Sequence, residues 1–322
     1  MKLSVVSSAL GSMNLDESLA YLKSLGVSQF ELGVGGYPGK KHADALILSK
    51  DEAKRRELVA TFEKHGMTIS ALAVHGNPVH PNKKIAEEFE ADFKAACVLA
   101  GQIGVDRIIT FSGCPGSDPD AKQPSWVTCA WPNEYLDVLD YQWNEVLIPY
   151  WKEAVKFAEA NGVRRIALEM HPGFAVYNPE TLLKLRREVG SNIIGANLDP
   201  SHLIWQGMDI VEVIHYLGDA IHYFHAKDTL LNERNIRKNG VLDTKPYGDL
   251  AERSWVFRTM GYGNDDAFWK KVLSALLVVG YDDSISIEHE DSLMSAKEGL
   301  EKAIAFLKDK IVYEKPGAMW WV

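Results

Sequence analysis

The feature that most constrains this chain is a junction used seven times, at Gly26, Gly66, Gly104, Gly162, Gly190, Gly218 and Gly280. Each time an amphipathic run is followed by the glycine and then by a short apolar run. Glycine just past a helix end adopts a left-handed conformation that is costly for other residues, so each of these glycines reads as a helix stop. The segments that follow are Gln29–Gly33, Thr68–Ala73, Arg107–Phe111, Arg165–Glu169, Ile193–Asp199, Ile221–Ala226 and Ser284–Glu288. With Leu3–Ser7 they make eight strand candidates. Interiors such as Ile166-Ala167-Leu168 are continuously apolar, as in parallel strands covered by helices on both faces.

The intervening runs carry helical periodicity. Leu19, Leu22 and Leu25 recur before Gly26, and Asp51-Glu52 puts acids in the first turn ahead of Leu58 and Phe62. Glu153–Asn161 and Asn178–Val189 read the same way. Alternating βα units imply a closed parallel barrel or a doubly wound sheet. The helix-to-strand links are short, whereas those after Gly33, Phe111 and Ala226 are long and rich in Gly, Pro and Trp. Long loops confined to the C-terminal ends of the strands favour the barrel, and no GxGxxG or GxxxxGK[ST] follows a strand. The expectation is one (β/α)8 barrel domain over residues 1–322, with long loops at about 112–134 and 227–262 and an apolar tail, Met319-Trp320-Trp321-Val322.

Charge narrows the partners. A formal charge of -9, with no block of Lys or Arg interleaved with aromatics, disfavours nucleic acid and anionic lipid. No apolar run approaches the roughly 20 residues that span a bilayer. Three cysteines, Cys97, Cys114 and Cys129, make no CxxC pair and no disulfide framework. Met1–Val6 reads as strand rather than as a signal peptide, so the expected location is cytoplasmic.

Chemistry gathers at the ends of four consecutive strands, which finish on Glu169, Asp199, His225 and Glu288. In a barrel those ends ring one cavity. Three carboxylates there would repel one another, and a divalent cation removes the conflict. An oxygen-rich set with one nitrogen suits Mn, with Mg, Co or Zn as alternatives.

Glu169, the run Asn197-Leu198-Asp199-Pro200-Ser201-His202, the run His225-Ala226-Lys227-Asp228, the turn Gly261-Tyr262-Gly263 and the run Ile287-Glu288-His289-Glu290 resemble the xylose-isomerase-like barrel superfamily. The likeness follows chain order over nearly the whole length. That group includes sugar-phosphate isomerases, tagatose/psicose 3-epimerases and inosose dehydratases. The resemblance implies one metal held by Glu169, Asp199, His225 and Glu288, with Glu169 and Glu288 also moving protons on opposite faces of a sugar. A metal that chelates a carbonyl and its neighbouring hydroxyl acidifies the adjacent C–H, and a carboxylate beside it can take the proton. Isomerisation or epimerisation follows. The arginine that the epimerases place shortly after the metal histidine has no match at that offset; Arg234 and Arg237 are the nearest and receive no role.

One departure opens a second outcome. Met170-His171-Pro172-Gly173 resembles the catalytic subunits of bacterial C-glycoside deglycosidases and related enzymes of 3-keto-sugars. There a histidine is the base in β-elimination. His171 is thus either a base or a partner orienting Glu169. His202 is a substrate-oxygen contact, by the resemblance, or a helix-entry residue. His75 is a substrate-hydroxyl donor or a loop residue, and Asp228 buttresses a histidine or forms a salt bridge. Trp126 and Trp131 form an aromatic wall for substrate or pack their own loop. The apolar tail suggests a homo-oligomer, or a hetero-oligomer with a small second subunit. The partners expected are a small sugar, keto-sugar or glycoside, with no nucleic acid and no membrane. An endonuclease IV-type DNA-repair enzyme and a non-catalytic sugar-binding scaffold complete the alternatives.

Overall fold

A computed structural model describes residues 1–315 and 317–322. Eight parallel strands form one sheet: β1 (Lys2–Val5), β2 (Gln29–Gly33), β3 (Thr68–Ala73), β4 (Arg107–Thr110), β5 (Arg165–Glu169), β6 (Ile194–Leu198), β7 (Ile221–Ala226) and β10 (Ser284–Ile287). Neighbours pair in the order β1-β10-β7-β6-β5-β4-β3-β2. A parallel bridge between Val6 and Glu31 joins the two ends, so the sheet closes on itself. This is the expected (β/α)8 barrel. All seven junction glycines have positive φ, from 51° to 84°, so each does stop the element before it.

Two apolar regions hold the barrel. The larger lies between strands and helices, where Phe30, Leu72, Ile108, Ile166, Leu198 and Phe224 meet helical residues such as Leu19, Leu99 and Trp269. The smaller, Ala71, Ala73, Ile109, Ala167 and Tyr223, is the barrel interior. Small side chains there leave room for polar groups. Tyr223 Oη lies 2.6 Å from Ser70 Oγ, which lies 2.8 Å from Ser4 Oγ. Burying these hydroxyls is tolerated because they satisfy one another.

Two details differ from expectation. The segment 227–262 is not a plain loop: β8 (Asp228–Leu231) and β9 (Trp255–Arg258) form an antiparallel ribbon. Its aromatic face makes a small core, with Trp255 stacked on Trp205 at 4.7 Å and Phe257 beside them. Asp228 anchors the ribbon by accepting the amides of Gly261, Gly263 and Asn264 at 2.9–3.0 Å, and it neither buttresses a histidine nor pairs with a cation. A Cβ on Gly263 would stand 2.3 Å from Thr229 O, so this turn requires glycine. Secondly, the long loop after β4 is tied down by Gln142, whose amide donates to the carbonyls of Pro115, Gly116 and Ser125. Gln142 sits in a run of wider π-type turns, Tyr141–Leu147, a distortion that often re-aims a side chain.

The three cysteines are unpaired thiols. Among the described residues no helix is long and apolar enough to cross a membrane. Met319, Trp320, Trp321 and Val322 are exposed in the single chain.

Candidate metal centre

Glu169 closes β5, and Asp199 follows β6, where its Oδ1 accepts the Ser201 amide at 2.8 Å and starts the helix Pro200–Ile204. His225 lies within β7, opposite Ser286 of β10, and Glu288 comes next after β10. One donor atom from each of the four lies within 4.8 Å of the others. Above them is a cleft of about 190 Å³, lined by Val6, Tyr37, His75, Phe111, His171, Lys227 and Glu290, among others.

Glu169 has both oxygens engaged. Oε2 accepts from His75 Nε2 at 3.0 Å and Asn197 Nδ2 at 3.1 Å, while Oε1 accepts from His202 Nε2 at 3.0 Å. Burial opposes its charge, but these donors and His225 hold its pKa well below the usual carboxylate range. Glu288 is also held low: burial opposes it, and Lys227 and His225 prevail. Asp199 goes the other way, to about 6, because burial and the charges of Glu169 and Glu288 outweigh the Lys227 ammonium. Lys227 Nζ lies 2.8 Å from Glu288 Oε2, 2.9 Å from Glu290 Oε2 and 3.0 Å from Asp199 Oδ2.

His225 is oriented from behind. Its Nε2 donates to Glu31, 3.1 and 3.0 Å from the two carboxylate oxygens, and Ser286 Oγ donates to the same carboxylate at 2.7 Å. Burial disfavours the imidazolium, but Glu31 and Glu288 raise its pKa well above the ordinary value. With Nε2 committed to Glu31, Nδ1 is the nitrogen that faces the quartet, 3.4 Å from Glu169 Oε2 and 3.3 Å from Glu288 Oε2.

The donor set fits a divalent cation. His225 Nδ1 is buried without a hydrogen-bond partner, which is costly unless something else binds it, and Asp199 Oδ2 makes no hydrogen bond and has only the Lys227 ammonium to offset its charge. A cation between the four groups would satisfy both atoms and offset the carboxylate charge. The Glu31–His225 contact is the outer support such ligands ordinarily have.

The other expected residues fall into three groups. His75 and His202 are buried partners of Glu169, and His202 reaches Asp199 Oδ2 at 3.4 Å from beneath the cleft rather than lining it. His171 does line the cleft. Its Nδ1 donates to the carbonyl of Pro172 at 2.6 Å, and it makes no hydrogen bond to Glu169. Burial first, then the charges of His202 and Lys227, bring its pKa down to about 4, so it is neutral near pH 7. Trp131 is a correction: it is 76% exposed and does not line the cleft. With Gln142 holding 115–125, the loop beyond runs outward, and Trp126 packs on Tyr177 at 5.5 Å instead. Arg237 faces Glu233 on an exposed helix. Glu31 was missed altogether, while Asn197, Lys227 and Glu290 lay in the quoted runs without a role. Glu31 had a signal: it is the one charge in the otherwise uncharged strand Gln29–Gly33.

A barrel whose fifth to eighth parallel strands supply Glu, Asp, His and Glu to one buried centre defines a class. The chain belongs to the family of xylose isomerase-like TIM barrels, whose sequence profile matches residues 19–310. Uncharacterized protein YfiH of Bacillus subtilis (strain 168) is 40% identical over 313 residues, covering 97% of this chain and 99% of that protein. Among solved structures, the probable 3-DHS dehydratase AsbF involved in petrobactin synthesis from Bacillus anthracis is 17% identical with a TM-score of 0.66, covering 96% of this chain and 99% of that one. The IOLI protein with a binding zinc atom is 20% identical with a TM-score of 0.66, covering 97% and 98%. D-psicose 3-epimerase from Clostridium cellulolyticum H10, determined with D-tagatose, is 15% identical with a TM-score of 0.62, covering 96% and 98%. At these identities the structures establish the shared fold.

Proposed function

We propose that this protein is a divalent-metal-dependent enzyme, with manganese as the ion, that removes a proton next to the carbonyl of a sugar or keto-sugar. The observation that carries the reading is the convergence of Glu169, Asp199, His225 and Glu288 around a buried donor atom, His225 Nδ1, left without a hydrogen bond. An ion held there would polarise a carbonyl and its neighbouring hydroxyl and so acidify the adjacent C–H. The chain's own residues do the rest. The cleft of about 190 Å³ accommodates a single sugar unit, with Tyr37 and Phe111 on one wall and Glu288, Glu290 and Lys227 on the other. Glu288, partly open to the cleft, takes the proton; its return to the neighbouring carbon gives isomerisation, and delivery of a proton to the opposite face by Glu169 gives epimerisation. The named epimerase among the structural neighbours supports this outcome.

A second outcome rests on its own observation. His171 lines the cleft with Nδ1–H tied to Pro172, which leaves Nε2 as its free nitrogen, while Glu169 is occupied by three donors. A neutral imidazole so placed serves as the base, and a substrate with a leaving group β to the carbonyl then undergoes elimination. A 3-keto-glycoside is such a substrate, and a neighbour described as a probable 3-DHS dehydratase supports this outcome.

The test is to incubate the manganese-loaded protein in deuterated water with a free ketose and, separately, with a 3-keto-glycoside. Deuterium at the carbon beside the carbonyl with altered stereochemistry supports the first outcome. Release of the aglycone, lost on His171→Ala, supports the second. Absence of exchange and of release over a broad panel of both substrate types would refute the proposal.

A further inference from the structure

The centre contains two donor sets rather than one. Beside the quartet, Glu169, His171 and His202 also present ligand atoms within 4.8 Å of one another. Glu169 belongs to both sets, and its two oxygens part company: Oε2 faces His225 and Oε1 faces His202. A carboxylate placed between two such sets is the arrangement by which paired metal ions share a bridging ligand. Judged by donors alone, the centre would take two cations.

Lys227 changes that. Its Nζ is fully enclosed and surrounded as a small cation would be, by Asp199 Oδ2 at 3.0 Å, Glu288 Oε2 at 2.8 Å and Glu290 Oε2 at 2.9 Å, with His202 Nε2, whose proton goes to Glu169, 3.4 Å away. Phe257 of the ribbon covers it, with Nζ 4.7 Å from the ring centroid. An ion ligated by His202 Nε2 would stand within a few ångströms of this ammonium, in a buried site where like charges repel strongly. Opposite charge around Nζ is already balanced by three carboxylates, so the ammonium has no incentive to leave.

We propose that Lys227 is a tethered cation that occupies the place of a second metal ion and fixes the centre at one ion per chain. Two consequences follow. The Glu169–His171–His202 set stays metal-free, and His171, which lines the cleft, keeps its imidazole unligated. Lys227 is a positioning residue here, acting through His202, Asp199 and Glu288. The inference rests on the metal reading given above.

Metal stoichiometry tests it without reference to activity. Metal-free protein is titrated calorimetrically with Zn²⁺, and the ions retained after gel filtration are counted by elemental analysis. The expected counts are one for the native protein, two for Lys227→Met, one for Lys227→Arg, and one again for Lys227→Met/His202→Gln. In Co²⁺-loaded Lys227→Met, spin coupling through the shared carboxylate should appear, and it should be absent from the native protein. Two ions in the native protein, or one in folded Lys227→Met, would overturn the inference while leaving the metal reading intact. No ion in the native protein or in either Lys227 variant would remove both. If Lys227→Met does not fold, His202→Gln in the native background decides: one ion retained supports the inference, and a drop from two to one overturns it.

Discussion

Glu31→Gln separates the two things Glu31 does for His225, which are to accept a hydrogen bond and to carry a charge. The amide oxygen can still accept from His225 Nε2, and its NH2 can turn toward Ser286 Oγ, now 2.7 Å from the carboxylate, which has lone pairs to receive it. Volume is unchanged, so the barrel should fold. What disappears is the negative charge 3.0–3.1 Å behind the imidazole, which makes Nδ1 a stronger donor to a cation. Loss of such an outer partner typically weakens metal binding by about 10–100-fold, or about 1.4–2.7 kcal/mol. The same charge also raises the proton affinity of His225, whose pKa stands well above normal in the metal-free protein. Metal and proton compete for this ring, so Glu31→Gln weakens both. The deficit should therefore be largest at alkaline pH and shrink as the solution is acidified. Competition titration of Mn²⁺ against a chromogenic chelator at pH 8 and pH 6 measures it, with circular dichroism to confirm the fold. An affinity within twofold of native at pH 8 would refute the argument that Glu31 tunes a metal ligand.

Two further predictions concern stability. His222 is buried outside the centre, and burial followed by the charges of Arg186, Arg165 and Arg107 lowers its pKa to about 3. Between pH 6.5 and 3 the unfolded chain binds a proton there that the native chain does not, so stability falls as pH falls. This one group contributes a slope of about 1.4 kcal/mol per pH unit within that window. His222→Gln should flatten the plot of urea-unfolding free energy against pH by that amount between pH 4 and 6, and an unchanged slope would contradict the assignment. Asp228→Ala would strand the amides of Gly261, Gly263 and Asn264 together with Trp269 Nε1, at a cost of at least about 3 kcal/mol. The urea midpoint should drop and the segment 232–254 should become sensitive to protease; a loss under 1 kcal/mol would show that water replaces these bonds.

Local signals in the chain were enough for the framework. Seven glycines mark helix ends because a left-handed cap is a property of one residue and its immediate neighbours. Glu169, Asp199, His225 and Glu288 were legible because strand ends in a closed parallel barrel necessarily share a mouth. Tertiary structure alone decided the remainder. Glu31 reaches His225, 194 positions away in the chain, only because the Val6–Glu31 bridge closes the sheet. His75 and His202 were placed at the right mouth, but their common partner, Glu169, depends on side-chain directions that no spacing encodes. Trp131 was misplaced for a related reason: composition suggests an aromatic wall, whereas the folded loop leaves this indole exposed. Lys227 shows the limit most clearly. Its position next to His225 is in the sequence, but its enclosure by Asp199, Glu288 and Glu290 comes from three separate segments. Short-range patterns specify which elements form and where they stop; charge balance in a buried centre is a sum over distant neighbours, and only the folded chain performs it.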